Sequence, residues 1–251
     1  MPMRPLRPRG LVFVAISAEP AGSPTQEMAR RAREARLPEK LVTDPMTKLV
    51  ILGAGGHGRA LIELIRARGG LEIAGLVDAR ADAAPMLGVP VLGDESALPG
   101  LRRAGVGLAC IALGDPALRL AAALRLGALG FGFPALVHPS AVLAGSAVVG
   151  EGSVVLPHAV LGACARVGRF CIVNTGAILE HDVELGEGAH CGPGSVLPGG
   201  VRVGARAVVG AGAACRPYVT IGEAAVVGVG AAVCGDIPAG ATVGGVPARP
   251  L

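Results

Sequence analysis

Residues 143–233 decide the fold and read, in groups of six, LAGSAV VGEGSV VLPHAV LGACAR VGRFCI VNTGAI LEHDVE LGEGAH CGPGSV LPGGVR VGARAV VGAGAA CRPYVT IGEAAV VGVGAA V. The first residue of every group, or hexad, is Val, Leu, Ile or Cys from Leu143 to Val233, sixteen times without a break. The fifth residue is small or β-branched, and the second is Gly in nine of the sixteen hexads. A period of six fits neither an α-helix nor a plain strand, so each hexad is interpreted as a short strand plus a turn.

Three hexads would close one triangular coil of eighteen residues, with the first residue of each pointing into the prism. The repeat therefore predicts a parallel β-helix of about five coils. Glycine is expected to supply the backbone freedom that the corners need. A disordered Gly/Ala-rich segment is the alternative, and the constant phase over sixteen hexads argues against it.

The composition suits a narrow, aliphatic interior, since 51% of the residues are apolar but there is no Trp, one Tyr and four Phe. The six cysteines show no C-x-x-C and no zinc spacing, so we interpret them as small buried residues of a cytoplasmic protein without a bound metal. Residues 1–47 hold eight basic and five acidic residues, and the remainder fifteen and fourteen. The chain therefore offers no basic face for nucleic acid.

Residues 1–47 differ from the rest of the chain in their Pro/Arg-rich start and their charged stretch from Thr25 to Lys40. We interpret them as a dispensable, disordered extension or an upstream-extended reading frame. A secretory signal is the alternative, because a short apolar stretch runs from Leu11 to Ala18. That stretch is far too short to span a membrane, and no membrane association is expected.

Residues 48–138 are predicted to form a Rossmann-like α/β domain that binds a nucleotide sugar, and residues 139–251 the β-helix. Lys48 to Gly53 is an apolar strand followed by a helical pattern through Arg68, and further strands are predicted over residues 71–77, 89–92, 107–113 and 133–137. Alternating strands and helices indicate a parallel sheet.

The first strand ends in a turn with the G-x-G-x-x-G pattern of Gly53, Gly55 and Gly58, and Asp78 follows the second strand. Such a turn can hold a phosphate at the N-terminus of its helix. The short domain suits a mononucleotide or nucleoside diphosphate better than a dinucleotide. A tight turn without a ligand is the alternative, and His57 could donate to a phosphate or cap the turn.

Polar residues that interrupt the repeat carry the chemical information on the β-helix. Asn174 is one, and His181 lies between Glu180 and Asp182, either of which could raise its basicity. Gly199 follows His181 by eighteen residues, one coil above at about 4.8 Å. An unperturbed imidazole titrates near pH ~6.5 and suits a general base. A solvated turn residue is the alternative for His181.

His190 lies nine residues after His181, half a coil away and so on a different side of the same prism. The two can meet only if neighbouring prisms pack side by side, which predicts a homotrimer with sites in its clefts. The spacing of His158, His181 and His190 does not match the metal-binding histidines of β-helical carbonic anhydrases. We therefore expect no metal site.

Residues 48–251 resemble the family of sialic acid O-acetyltransferases and nucleotide-sugar N-acetyltransferases, which are hexapeptide-repeat acyltransferases. The resemblance rests on Gly53-Ala-Gly-Gly-His-Gly58, Leu76-Val-Asp78, Ile111-Ala-Leu-Gly114, Leu136-Val-His-Pro-Ser140, Val173-Asn-Thr175, Ile178-Leu-Glu-His-Asp182, His190 and Gly245-Val-Pro-Ala-Arg249. Two positions depart from the family: Gly55 stands where Ser is common, and Ala79 where a second acid is common. Both bear on the identity of the nucleotide base.

The resemblance implies a Rossmann-like domain followed by a left-handed parallel β-helix, with acetyl-CoA as co-substrate. It implies that His181 is the general base, that Asp182 increases its basicity and that the Gly199 N–H faces the thioester oxygen. The implied acetyl-CoA contacts are His190, Gly199, Ala211 and Val229. The implied contacts of the nucleotide-sugar substrate are Gly55, Gly56, His57, Asp78, Gly114 and Asn174.

We therefore expect direct acetyl transfer to the amino group of a UDP-linked 4-amino-4,6-dideoxy sugar. Cys191 and Cys215 occupy interior positions of the repeat, which disfavours an acyl-cysteine intermediate. One alternative is O-acetylation of a sialic acid or another sugar. A second is a nucleotide-binding scaffold without catalytic activity.

Overall fold

The computed structural model describes residues 47–80 and 84–251, and the described residues before Leu136 form a small parallel sheet with helices, called here the α/β part. The strands, in the order β2-β1-β3, are β1 (Lys48–Leu52), β2 (Glu72–Val77) and β3 (Leu108–Ile111). The helices are α1 (Gly56–Arg68), α2 (Leu98–Arg103) and α3 (Pro116–Ala128), and a 3-10 turn covers Glu95–Ala97. The prediction for residues 1–47 concerns residues outside this described part, apart from Thr47.

The predicted alternation of strands and helices is confirmed in this part of the chain. Helix α1 ends at Arg68, as predicted, because Gly69 adopts a φ of +70° and its N–H bonds to the Ile65 carbonyl at 3.0 Å. The strand predicted over residues 89–92 is reduced to isolated bridges, such as Leu76 with Val91. Pro90 limits the pairing there because it has no N–H to donate.

The β-helix has three faces, each a stack of short parallel strands. One face is covered at its first coils by the α/β part and is called the covered face. It contains β4 (Leu136–Val137), β7 (Val154–Val155), β10 (Ile172–Val173), β13 (His190–Cys191), β16 (Val208–Val209), β19 (Val226–Val227) and β21 (Thr242–Gly244), with β22 (Arg249–Pro250) antiparallel. The apolar face contains β5 (Val142–Leu143), β8 (Val160–Leu161), β11 (Ile178–Leu179), β14 (Val196–Leu197), β17 (Ala214–Cys215) and β20 (Ala232–Val233). The charged face contains β6 (Val148–Val149), β9 (Arg166–Val167), β12 (Glu184–Leu185), β15 (Arg202–Val203) and β18 (Thr220–Ile221).

The interior of the prism is the column of apolar residues that the repeat predicts. The first residues of the hexads and the small fifth residues form one buried cluster that runs from Val155 to Val243. The apolar face has six strands, so the β-helix has about six coils where the sequence predicts about five. Val137 and Val243 account for the difference, because they extend the column beyond the unbroken repeat at its two ends.

The glycines at the second position of the hexads serve close packing, which corrects the sequence-based explanation. Those nine glycines have no positive φ, but a Cβ on Gly210 would lie 2.7 Å from the backbone carbon of Gly228 in the next coil. The left-handed residue is the fourth of each hexad, every sixth residue from Gly152 to Gly230. The corner conformation therefore falls two residues later than predicted, and several of its residues are not glycine.

The α/β part packs on the first coils of the covered face, and all described residues fall in one compact unit. Leu136, Val154 and Ile172 share a buried cluster with Leu61 and Ile62 of α1. The strand predicted over residues 133–137 therefore belongs to the β-helix as β4, since it pairs with β7. Within residues 47–80 and 84–251, the structure has no helix with both the length and the apolar character needed to cross a bilayer.

Candidate active site

The first half of the site is the glycine-rich turn between β1 and α1. Gly58 has no room for a side chain, because a Cβ there would lie 2.5 Å from the Gly53 carbonyl oxygen. Gly55 and Gly56 are exposed, and a Cβ on either would meet no atom within 4 Å. The N-terminus of α1 has no side-chain cap and no acidic residue in its first turn. The turn therefore offers N–H groups and the positive end of a helix to an anion such as phosphate.

Asp78 holds this turn from the end of β2. Its Oδ2 accepts from the Ala54 N–H at 2.6 Å, and its Oδ1 accepts from the Arg80 N–H at 3.0 Å. The hydrogen bond from Ala54 is the main reason that the pKa of Asp78 is lowered. The structure thus brings Gly55, Gly56 and an ionised Asp78 together beside the sheet.

His57 and His190 form a second cluster, between the glycine-rich turn and the covered face. The Asn174 Nδ2 and His190 Nε2 atoms are 3.3 Å apart, and the Gly114 backbone hydrogen-bonds to His190. Burial, and secondly the charge of Arg119, lower the pKa of His190 to about 4. Burial, then His190 and Arg119, lower the pKa of His57 to about 4 as well. Both imidazoles are therefore neutral at pH 7, and the buried Nε2 of His57 has no hydrogen-bond partner among the described residues.

His57 does not cap the turn, one of the two roles that the sequence allows for it, because Gly55 is the cap and no side chain bonds there. Four residues predicted to bind substrate or cofactor, on four separate segments, converge in this cluster. They are His57, Gly114, Asn174 and His190. The cluster lies where the α/β part meets the β-helix.

Arg119 of α3 completes this cluster and was missed by the sequence analysis. It is only 1% exposed, and its guanidinium donates to four carbonyl oxygens and to no carboxylate. The acceptors are Leu113 at 2.8 Å, Gly114 at 2.9 Å, Phe170 at 2.8 Å and Gly188 at 2.7 Å. Burial lowers the pKa of Arg119 to about 10, so it keeps its charge at neutral pH. The sequence signal was its helical spacing with the buried Ala122, Ala123 and Leu126.

The second half of the site is at the corner that follows β11. The His181 Nδ1 and Asp182 Oδ2 atoms are 2.9 Å apart, and both side chains are more than half exposed. Asp182 occupies the left-handed fourth position of its hexad, with a φ of +58°. A carboxylate at Nδ1 favours the tautomer that carries its proton there, which leaves Nε2 as the acceptor.

Gly199 lies directly above His181 in the next coil, as predicted. A Cβ on Gly199 would overlap the imidazole ring, and the ring atom nearest to it would be Nε2. The Gly199 N–H makes no hydrogen bond to any described residue, whereas the Gly200 N–H bonds to the His181 carbonyl at 3.0 Å. Other hexads place proline at the position of Gly199, as in Pro193 and Pro217, so the ladder does not need this N–H. Nε2 and a free N–H donor therefore lie side by side.

The structure does not bring the two halves of the site together within one chain. His190 lies on the covered face, and His181 lies at the corner between the apolar and charged faces. Ala211 and Val229 follow β16 and β19 of the covered face, one coil apart, at a different corner from Gly199. Val229 is 79% exposed there.

Comparison with known proteins places this arrangement in a family. The family model described as the PglD N-terminal domain matches residues 48–126. No curated protein matches the sequence.

Several solved structures match most of the chain. PerB from Caulobacter crescentus, solved in complex with CoA and GDP-perosamine, is 42% identical over 81% of this chain and 97% of that chain, with a TM-score of 0.78. The acetyltransferase domain of PglB from Neisseria gonorrhoeae, solved with acetyl coenzyme A, is 37% identical over 81% of this chain and 98% of that chain, with a TM-score of 0.75. WeeI from Acinetobacter baumannii is 26% identical over 82% and 100% of the two chains, with a TM-score of 0.74.

Proposed function

Because the chain belongs to the PglD-type family of hexapeptide-repeat sugar N-acetyltransferases, we propose that it acetylates the amino group of a nucleotide-linked amino sugar. The protein is an acetyl-CoA-dependent acetyltransferase. The observation that carries the conclusion is its 42% identity to PerB, whose structure holds CoA and GDP-perosamine. The His181–Asp182 pair beside Gly199 supplies suitable chemistry.

In this proposal the nucleotide of the substrate binds at the glycine-rich turn. The N–H groups of Gly55 and Gly56, which bond to no described residue, donate to its phosphate oxygens at the N-terminus of the helix. Asp78 fixes the turn through the Ala54 N–H. His57, Gly114 and Asn174 line the neighbouring cluster, and the neutral form of His57 lets it contact the substrate without carrying a charge of its own.

The transfer step uses the corner at His181. The lone pair of the sugar amine attacks the thioester carbonyl carbon, and His181 Nε2 takes the proton from the nitrogen. The Gly199 N–H donates to the oxyanion of the tetrahedral intermediate. The carbon–sulfur bond then breaks, and the CoA thiolate takes the proton back from His181. The products are an amide and CoA, with no acyl-enzyme.

The cofactor is proposed to run along the corner of Ala211 and Val229, with His190 as a further contact. These residues lie at or beside the covered face, while His181 follows the apolar face, so one chain cannot supply both. We propose a homotrimer in which two neighbouring subunits form each site. The outward residues of the apolar face support this, since Val142, Val160, Ile178 and Val196 present an apolar stripe, whereas Arg166, Glu184 and Arg202 face outward from the charged face.

A reducing, cytoplasmic location is part of the proposal. All six cysteines are free thiols, and burial raises the pKa of the Cys110 thiol to about 12 and that of Cys171 to about 11. The four buried thiols are unreactive, whereas Cys164 and Cys234 are exposed, contrary to the expectation that all six are buried. Six free thiols suit a compartment in which disulfides do not form.

The test is a free-thiol assay with acetyl-CoA and a panel of UDP- and GDP-linked 4-amino sugars. The panel needs both bases, because the resemblance suggests a UDP sugar while the PerB structure contains a GDP sugar. We expect thiol release with at least one amino sugar and none with the corresponding hydroxyl sugar. His181→Ala is expected to lower kcat by roughly 10²- to 10⁴-fold.

His158→Ala is the matched control, because His158 is an exposed corner histidine without a side-chain hydrogen bond to any described residue, three coils below Ala211. It is expected to leave thiol release unchanged. Full activity in the His181→Ala enzyme would disprove the assignment of the base, and binding of nucleotide sugar with no thiol release from any acceptor would disprove the enzymatic function.

A further inference from the structure

Tyr218 lies at the same corner of the β-helix as the proposed base His181, in the second coil above it. It follows Pro217 one coil above Gly200, and its N–H donates to the Gly199 carbonyl at 3.1 Å. A Cβ on Gly200 would overlap the Tyr218 ring, just as a Cβ on Gly199 would overlap the His181 ring. The His181 ring comes from the coil below and occupies the space of a side chain at Gly199. The Tyr218 ring comes from the coil above and occupies the space of a side chain at Gly200. His181 Nε2 and the Tyr218 ring therefore lie against adjacent residues of the same corner, Gly199 and Gly200.

The packing of Tyr218 gives it little structural role. Its side chain is 74% exposed, and its hydroxyl makes no hydrogen bond to any described residue. Its φ of +62° is the left-handed conformation of the fourth hexad position from Gly152 to Gly230, so the coil imposes this conformation and it says nothing about a ligand. The other aromatic side chains of the described residues, Phe131, Phe133 and Phe170, are all buried. An exposed aromatic ring with no hydrogen-bond partner among the described residues, at the corner of the proposed base, is better explained by ligand contact than by core packing.

We propose that Tyr218 determines acceptor specificity by packing its ring face against the sugar ring while the amine lies at His181 Nε2. This inference rests on the proposed function. The amine is attached to the sugar ring, so that ring must lie close to Nε2, at the corner to which Tyr218 contributes an exposed ring. The proposed cofactor contacts Ala211 and Val229 lie at another corner of the chain, and in the proposed trimer a neighbouring subunit brings that corner to His181. Separate KM values for the two substrates therefore distinguish an acceptor contact from a cofactor contact. Its large flat face suits the apolar side of a deoxy sugar, and its hydroxyl remains in water.

The experiment measures the KM for the amino sugar, the KM for acetyl-CoA and kcat in Tyr218→Gly and Tyr218→Phe enzymes. Glycine removes the ring and suits the left-handed backbone, so that variant is expected to fold. We expect Tyr218→Gly to raise the acceptor KM about five- to tenfold and to leave the KM for acetyl-CoA unchanged. Tyr218→Phe keeps the ring face and is expected to bind the acceptor as the wild type does.

Ala224→Gly is the matched control, because Ala224 holds the same left-handed hexad position, with a φ of +55°, at the next corner. It is expected to change neither KM. An unchanged acceptor KM in Tyr218→Gly, or a Phe variant as weak as the Gly variant, would overturn the assignment to the ring face. A change confined to the KM for acetyl-CoA would show that Tyr218 contacts the cofactor instead. A change confined to the sedimentation coefficient would show that it contacts a neighbouring subunit instead.

The outcome for the wild type separates this inference from the function on which it rests. A wild-type enzyme that releases thiol with an amino sugar, together with unaffected Tyr218 variants, would overturn only the role of Tyr218. A wild-type protein that acetylates no amino sugar would overturn both.

Discussion

Asp182 is the acid that contacts the proposed base. The spacing of the residues alone allows either Glu180 or Asp182 in this role. The Asp182 Oδ2 lies 2.9 Å from His181 Nδ1, whereas the Glu180 side chain makes no hydrogen bond to any described residue. The difference follows from the hexad, because residue 180 stands at the second position and residue 182 at the left-handed fourth position. The turn at Asp182 directs its carboxylate back towards the preceding imidazole.

Asp182→Asn is therefore expected to lower kcat by more than about tenfold, because the amide cannot stabilise the imidazolium that forms when His181 takes a proton. The KM for both substrates should change little, and the measurement is steady-state kinetics of thiol release. Glu180→Gln is the control at the adjacent acid and should behave as the wild type. Equal losses in the two variants would mean that the effect is one of local charge and not of the contact.

The buried histidines predict a dependence of stability on pH. Burial depresses the pKa of His57 and His190 to about 4 in the folded protein, while an unfolded histidine titrates near 6.5. The unfolded chain therefore takes up protons first as the pH falls. Their contribution to stability is complete above about pH 6.5 and is lost as the pH falls through the window from about 6.5 to 4.

We expect the Tm to fall between pH 7 and pH 4.5, measured by thermal unfolding in the absence of ligands. His190→Gln should flatten this part of the curve, since the glutamine side chain has no proton to gain there. His158→Gln replaces an exposed histidine and should leave the curve as it is. A wild-type Tm that rises over the same interval would contradict the assignment of neutral imidazoles.

At the scale of the element, glycine occurs at the second position of the hexads because neighbouring coils lie close together there, and not because the backbone needs a positive φ. The second residue of the hexad passes so close to the next coil that a methyl group has no space, as at Gly150 and Gly210. Gly228 is the exception near the end of the β-helix, where a Cβ would lie 3.2 Å from the Val243 carbonyl oxygen. The same hexad position is therefore tight in the middle of the stack and looser at its end.

Gly210→Ala is expected to lower the free energy of unfolding by about 2 to 3 kcal/mol, because the new methyl group must push two coils apart. Gly228→Ala should cost less than about 1 kcal/mol, since its neighbours need to move only a few tenths of an ångström. Chemical denaturation of the two variants measures the difference. Equal losses would indicate that the cost lies in the glycine backbone and not in the contact between coils.

At the scale of the whole molecule, the separation of His181 from His190 predicts complementation between subunits. Subunits with His181→Ala and subunits with His190→Ala should each have low activity as pure proteins. In mixed oligomers some clefts pair an intact His181 with an intact His190 of the neighbouring subunit. Random mixing in equal amounts is expected to restore about a quarter of the wild-type sites.

The measurement is thiol release after the two variants are denatured and refolded together. A mixture of His181→Ala with His181→Asn subunits is the control, because no cleft in it contains an intact base. Activity that stays at the level of the separate variants would contradict a site shared between chains. So would a fully active wild-type protein that sediments as a monomer.

The sequence predicts the parts of this molecule that repeat or that carry an unusual residue in a regular background. The inward column, the position of Gly199 above His181, and the glycine-rich turn all follow from spacing along the chain. Arg119 does not, because its acceptors are backbone carbonyls on segments far apart in sequence. The proximity of His57 to His190 cannot be predicted from spacing either, since it depends on where the α/β part packs against the β-helix.

The bonds of Arg119 also limit how the two parts of the chain can be recombined. Its helix and the Gly114 turn belong to the α/β part, while Phe170 and Gly188 belong to two successive coils. A chimera that joined this α/β part to the β-helix of a relative would have to present carbonyls at the same corner in two successive coils. Without them the buried guanidinium would lose two of its four acceptors, so we expect such a chimera to be less stable than this protein.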